Sequence, residues 1–320
     1  MNVSVLGCGR WGSFLAWYAD KIGHKTTSFG PDDEVFKNLK ETGKNEYVKY
    51  PTSIAITCDL KSAVDSADIL IIAISAQVLR EFLPKVLSSC KKAKDKKIIL
   101  CMKGIEESSG KRLTEVAIEC GVAKENVAVW VGPGHIQDFV NGVPNCMVMD
   151  SYSSALTKYL ADTFSSNLIR FYYGTDIIGT EIGAATKNVL GLLAGMLDGL
   201  GYGALKGALM ARGAHEVAVF IKALGGSEWS AYGLCHLGDY EATLFSPHSN
   251  NRLWGEMYIK GQASSKLAEG VATARAVQKI AVAKGIDMPI TNAVDSLVRE
   301  HRDPREILDE LFSRVVKTEF

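Results

Sequence analysis

A chain of 320 residues is long enough for two cores, and 47% hydrophobic with 22% charged residues reads as an ordinary globular protein. Lysine plus arginine equals aspartate plus glutamate at 36 each, which gives no bulk attraction to nucleic acid or anionic membranes and leaves any anion site local. No apolar run approaches the roughly 20 residues of a membrane span, and the apolar start at Val3 runs straight into a glycine loop, so neither a span nor a signal peptide is expected.

The first half alternates β-rich runs with helical spacing. "VSVLG" (Val3–Gly7) reads as a buried strand, and "WGSFLAWYADKIG" after it has helical periodicity. "KTTSFG" (Lys25–Gly30) is a second strand, closed by Gly30-Pro31. "ADILIIAIS" (Ala67–Ser75) is continuously apolar, as a central parallel strand is. The charge run "KKAKDKK" (Lys91–Lys97) reads as a solvated turn before "KKIILCMKG" (Lys96–Gly104); "VAVWVGPG" (Val127–Gly134) and "NCMVMD" (Asn145–Asp150) continue the series. The alternation predicts an α/β, Rossmann-like doubly wound sheet.

Near residue 180 the texture changes to a long stretch rich in Ala and Gly, with no turn signal before Asp198. Helical patterns follow at Leu205–Leu224, Glu228–Gly238, Leu267–Lys284, Ile290–Arg299 and Arg305–Val316. The expected organisation is a sheet domain over 1–178 and an all-α domain over 179–320. The seven cysteines (Cys8, Cys58, Cys90, Cys101, Cys120, Cys146 and Cys235) stand singly without CxxC spacing, as reduced thiols of a cytoplasmic protein would. No histidine pair has metal spacing and no metal is expected; His24, His215, His236 and His301 read as surface or packed residues.

Gly7, Gly9 and Gly12 form G-x-G-x-x-G between a strand and a helix, the context that marks dinucleotide binding. The first glycine permits the tight turn, the second admits a pyrophosphate to the backbone, and the third packs helix on strand. Asp32 and Asp33 stand about 20 residues beyond the loop, where a carboxylate would hold a ribose 2′-hydroxyl, though they follow Pro31. No arginine or lysine is there to hold a 2′-phosphate, a slight lean toward NAD over NADP; Arg10, a guanidinium within the loop, serves either pyrophosphate or 2′-phosphate.

Further motifs follow in order: "MKGIEESSGKRLTEV", "VGPGHIQD", "EIGAATKNVLGLLAGMLDGLGYGALKGALMARG", "LGDYEATLF", "SNNRLWG" and "DMPI". With the glycine loop they resemble the bacterial-type NAD(P)-dependent glycerol-3-phosphate dehydrogenases over most of the chain. The resemblance implies reversible hydride transfer between NAD(P)H and dihydroxyacetone phosphate, giving sn-glycerol 3-phosphate, in an enzyme that is often a dimer. It implies catalytic roles for Lys187, Lys103 and Asp239, and substrate contacts at Lys103, Gly132, Gly134, Asn188, Asp239, Thr243, Ser249, Asn250 and Asn251. Cofactor contacts are implied at Gly7, Gly9, Arg10, Trp11, Gly12, Lys103, Ile136, Asn250 and Glu269. The chemistry itself asks for such residues: an ammonium stabilises charge developing on a ketone oxygen and donates a proton, and burial beside a second cation lowers its pKa toward neutrality. Taken alone, Lys187 reads as a snorkelling helix lysine, Lys103 equally as a surface lysine in a turn, and Asp239 as a helix cap after Gly238.

The departures cluster around ligand loops. Cys8 and Arg10 stand where the family pattern has alanine and serine, Ile74-Ser75 where it has Pro-Ser, and "GPGHIQD" where it has Gly-Pro-Ser-Phe-Ala-x-Glu; His135 and His248 lie in motif loops. Asn250 replaces the first arginine of Ser-Arg-Asn-Arg, a phosphate contact in the family. A neutral amide there weakens a phosphorylated ligand by about 1.5–3 kcal/mol unless Arg252, Lys206 or Arg212 compensates. Two alternatives therefore stay open, a dehydrogenase of another small hydroxy or keto compound and a non-catalytic nucleotide-binding sensor.

Overall fold

The computed structural model describes residues 1–263, 267–316 and 318–319. Eight strands form one sheet: β1 (Asn2–Leu6), β2 (Lys25–Phe29), β3 (Ala55–Thr57), β4 (Ile69–Ile72), β5 (Lys97–Leu100), β6 (Val127–Val131), β7 (Asn145–Ser151) and β8 (Ile169–Tyr173). Their order is β3-β2-β1-β4-β5-β6-β7-β8, and every pairing is parallel except β6 with β7. The chain reverses its direction of winding between β1 and β4, so the carboxyl ends of these two strands open a crevice where ligands bind in such sheets.

The period of two sorts the strand residues onto two cores. Val3, Val5, Ile69, Ile71, Ile99, Ala128 and Trp130 face one side with Phe14, Tyr18 and Phe164. Leu6, Leu70, Ile72, Ile98, Leu100, Val127 and Val129 face the other, against Leu79, Leu83 and Val116. Burial on both faces explains why β4 reads as an unbroken apolar run rather than an alternating one.

The helical half is built on Ile177–Gly199, buried nearly all round as its apolar sequence demands. Glu181 fastens its first turns to the sheet domain, accepting from Arg112 Nη1 at 2.7 Å and Thr114 N at 2.9 Å, while Thr180 Oγ1 donates to Asp150 at 2.7 Å. Further helices are Lys206–Ala223, Asn250–Ile259, Glu269–Lys284, Pro289–Glu300 and Pro304–Phe312. Where Ile177–Gly199 crosses Asn250–Ile259 the backbones touch through glycine. A Cβ on Gly195 would lie 1.8 Å from Arg252 O, and one on Gly255 would lie 2.1 Å from Leu192 O. Glycine costs a helix interior roughly 0.5–1 kcal/mol; here it permits a contact no other residue allows.

Two sequence expectations are corrected. Glu228–Gly238 is not an α-helix: a 3₁₀ segment over Glu228–Tyr232 stops at Gly233, whose backbone is extended, and a second short turn holds Leu237–Asp239. Asp239 does not cap a helix with its side chain, which is committed elsewhere. Among the described residues no helix is long and apolar enough to cross a membrane, no cluster of three His, Cys, Asp or Glu side chains offers a metal site, and all seven cysteines are unpaired thiols.

Candidate active site

The loops that leave the carboxyl ends of β1, β4, β5 and β6 carry most of the candidate residues, and the long helix meets them where Asn188 reaches Lys103. Gly7 leaves β1 with φ +119°, and a Cβ there would sit 2.3 Å from Ala73 O. Gly12 is pressed against the same turn, its would-be Cβ 1.9 Å from Gly7 O. Gly9 has nothing within 4 Å of its would-be Cβ, and the helix Arg10–Lys21 that it opens receives no side-chain cap. The loop thus presents open backbone and helix N–H groups free of side-chain partners, which fits a dinucleotide pyrophosphate.

Beyond β5, Lys103 Nζ donates to Asp239 Oδ2 at 2.6 Å and to Gly132 O at 2.8 Å. From the long helix, Lys187 Nζ lies 2.8 Å from the same Asp239 oxygen and donates to Thr243 Oγ1 at 2.7 Å. Asn188, the next residue, donates from Nδ2 to Lys103 O at 3.1 Å, locking the two segments together. Asp239 is 1% exposed and Lys187 7%, so one buried carboxylate serves two ammonium groups. Burial, with a contribution from Lys103, pulls the Lys187 pKa down from 10.5 to about 8 against the opposing pull of Asp239. That value suits a group that gives and takes a proton near neutral pH.

The family model for the NAD-dependent glycerol-3-phosphate dehydrogenase N-terminus matches residues 2–157, and the model for its C-terminus matches residues 176–309. The chain belongs to the NAD-dependent glycerol-3-phosphate dehydrogenase family. It is 34% identical to glycerol-3-phosphate dehydrogenase [NAD(P)+] of Pelodictyon phaeoclathratiforme, covering 100% of this chain and 99% of that one. It is 35% identical to the protein of the same name from Fusobacterium nucleatum, covering 100% and 98%. Among solved structures, glycerol-3-phosphate dehydrogenase from Coxiella burnetii superposes with a TM-score of 0.90 at 25% identity, over 98% of this chain and 99% of that one. D-mandelate dehydrogenase with NADH shares the fold at a TM-score of 0.67 and 18% identity, over 94% and 98%.

Within this glycerol-3-phosphate dehydrogenase fold the remaining sequence candidates divide. Gly132 and Gly134 both hold positive φ, +139° and +138°, in the loop that carries the acceptor for Lys103. Glu269 accepts from Ser75 Oγ and Ala76 N, each at 3.1 Å, joining the loop after β4 to the Glu269–Lys284 helix; burial raises its pKa. Ser249 caps Asn250–Ile259 by accepting from Arg252 N at 3.3 Å, and Asn251 Oδ1 accepts from Gly270 N at 3.0 Å. Trp11 packs on Phe14, and the Ile136 side chain is buried in the sheet core.

The structure fixes the surroundings of four further basic residues. Lys187 is buried rather than snorkelling. Lys206 and Arg252, the compensating cations considered for Asn250, both donate to Asp198 Oδ2 at 2.6 Å, and Lys206 also donates to Leu244 O. Arg212 is turned to Glu319 O at 3.3 Å on the exposed surface. Sequence reasoning missed Asp198 as their partner. It also missed the edge-to-face contact of His135 with His248, ring centres 5.5 Å apart, with His135 Nε2 buried and, among the described residues, unpartnered. The only sequence signal was that both histidines fell in motif loops.

Proposed function

We propose that this chain is an NAD(P)-dependent oxidoreductase that interconverts dihydroxyacetone phosphate and sn-glycerol 3-phosphate. The observation that carries the reading is the pair of lysines sharing the buried Asp239. Residues 1–178 hold the cofactor in this reading and 179–320 supply the catalytic helix. When bound, the reduced nicotinamide supplies a hydride. Gly7, Gly9 and Gly12 hold its pyrophosphate, and Glu269 orders the loop after β4 beside it. Charge arising on the substrate carbonyl oxygen is met by the Lys187 ammonium, which then releases its proton to that oxygen. Asp239 keeps both ammonium groups in place, Thr243 fixes the direction of Lys187, and Lys103 adds a second positive charge. Asn188 ties the loop of Lys103 to the helix of Lys187.

NAD is the preferred carrier. Asp33 is occupied in capping Glu34–Thr42 through Phe36 N, while exposed Asp32 faces Lys37 at 3.8 Å, so the end of β2 presents carboxylates where a 2′-phosphate would need cations. The protein works in the cytoplasm as a homodimer. Exposed aromatic surface, with Trp229 73% exposed beside Tyr232, supports the association. A mass of one protomer by light scattering at micromolar concentration would overturn it.

One observation favours a second reading, in which the substrate is a different small keto compound. Asn250 is uncharged and Asp198 occupies both Lys206 and Arg252. Mixing the protein with NADH or NADPH and dihydroxyacetone phosphate, and following cofactor absorbance, decides between them. Oxidation of NADH in preference to NADPH is the expected result. Turnover of an unphosphorylated ketone alone would transfer the assignment to the second reading, and cofactor binding without any turnover would leave a sensor.

A further inference from the structure

We propose that Arg10 is a cross-domain phosphoryl clamp, a guanidinium carried on the glycine loop that brings to the start of the Asn250–Ile259 helix the positive charge Asn250 lacks. The inference rests on the dehydrogenase reading for its ligands and goes beyond it in relocating the charge. Arg10 is the first residue of its helix, yet its Nη1 donates to His248 O at 3.0 Å, reaching from one half of the chain to the other. His248 lies two residues before Asn250. Tyr47 approaches the guanidinium from another side, its ring centre 5.9 Å from Cζ.

The charge balance of the site singles this residue out. Lys103 and Lys187 are held by Asp239, and Lys206 and Arg252 by Asp198, with Arg252 also 3.3 Å from Glu256. Among the described residues no carboxylate pairs with Arg10. A guanidinium has five donors in a planar fork that matches a phosphoryl group, and the Arg10 side chain spends one on His248 O. Beside it, the His135 and His248 rings meet edge to face, and the buried His135 Nε2 has no hydrogen-bond partner among the described residues. His135 shares a loop with Gly132, whose carbonyl takes Lys103. The open space at Gly9 leaves room for the anion on the same loop.

A phosphoryl group at this point belongs either to the dinucleotide pyrophosphate or to the substrate. The experiment compares wild type, Arg10→Ser, Arg10→Lys and Arg10→Ser/Asn250→Arg. It measures the Kd for NADH by fluorescence, the KM for dihydroxyacetone phosphate at saturating NADH, and thermal protection by inorganic phosphate. Arg10→Ser is expected to raise one of the two constants by about 10- to 100-fold, the range of one charged hydrogen bond. Loss confined to KM assigns the substrate phosphate, and loss in Kd assigns the pyrophosphate. Arg10→Lys keeps the charge without the fork and is expected to fall between; Asn250→Arg in the Arg10→Ser background is expected to restore most of the loss. Unchanged Kd, KM and phosphate protection in a folded Arg10→Ser protein would overturn the clamp and leave Arg10 a structural tether to His248. The binding arms report on Arg10 even if dihydroxyacetone phosphate proves not to be a substrate, so the two readings fail separately.

Discussion

Lys187→Ala is expected to lower kcat for ketone reduction by about 10²- to 10⁴-fold, the range of general acid catalysis, with the Kd for NADH nearly unchanged. The reason is placement. Lys187 is buried on a helix fixed by Glu181, and its amine is aimed by Asp239 and Thr243. Its pKa of about 8 gives the prediction a second face. Reduction needs the ammonium, so in wild type its rate falls as pH rises through about 8; oxidation of the alcohol needs the free amine, so its rate rises over the same interval. For stability the sign is also fixed. The cost of burying the ammonium is present in full below about 8 and is relieved between 8 and 10.5, where the unfolded chain still binds the proton and the native one does not. Near-normal turnover in Lys187→Ala, or a reduction profile flat across pH 8, would remove Lys187 from the mechanism.

Asp239→Asn is expected to damage stability and activity together. The carboxylate is 1% exposed and has both ammonium groups on one oxygen, at 2.6 and 2.8 Å. An amide leaves two cations facing each other across a buried position, and breaking a buried ion pair this way costs about 3–5 kcal/mol. Urea unfolding should show that loss as a lower midpoint. Adding Lys103→Met removes one of the repelling charges, so the double variant should regain part of the stability while staying inactive. If Lys103→Met instead destabilises Asp239→Asn further, the loss comes from packing and the shared-carboxylate account fails.

The sequence made the sheet half easy to read because its interior strands follow simple rules. The unbroken apolar run of β4 and the glycine loop after β1 each carry one physical requirement, and the structure places them accordingly. Strand β3 escaped notice because it is three residues long and partly exposed at the sheet edge. Strand β8, "IRFYY", has only two buried positions and lies at the opposite edge. The Asn250–Ile259 helix escaped for a different reason: its one fully buried residue is Gly255, so it has no apolar stripe to detect. "EWSAYGLCHLG" misled in the other direction, with helical spacing that Gly233 and the buried His236 turn into a folded loop.

For the site, residue type was legible and geometry was not. Lys103, Lys187 and Asp239 are far apart in the chain, and nothing local announces that one oxygen serves both amines. The capture of Lys206 and Arg252 by Asp198 was equally hidden, since it depends on the helix crossing rather than on spacing.

That crossing also governs how such a protein can diverge. At Gly195 and Gly255 a side chain of any kind would strike a main-chain carbonyl, so these two helices have no variable residue at their closest point. Arg10 and Asn250, by contrast, are partly exposed. Novelty can therefore accumulate at such positions while the frame stays fixed, and ligand choice can drift across generations without a matching drift in the architecture that presents it.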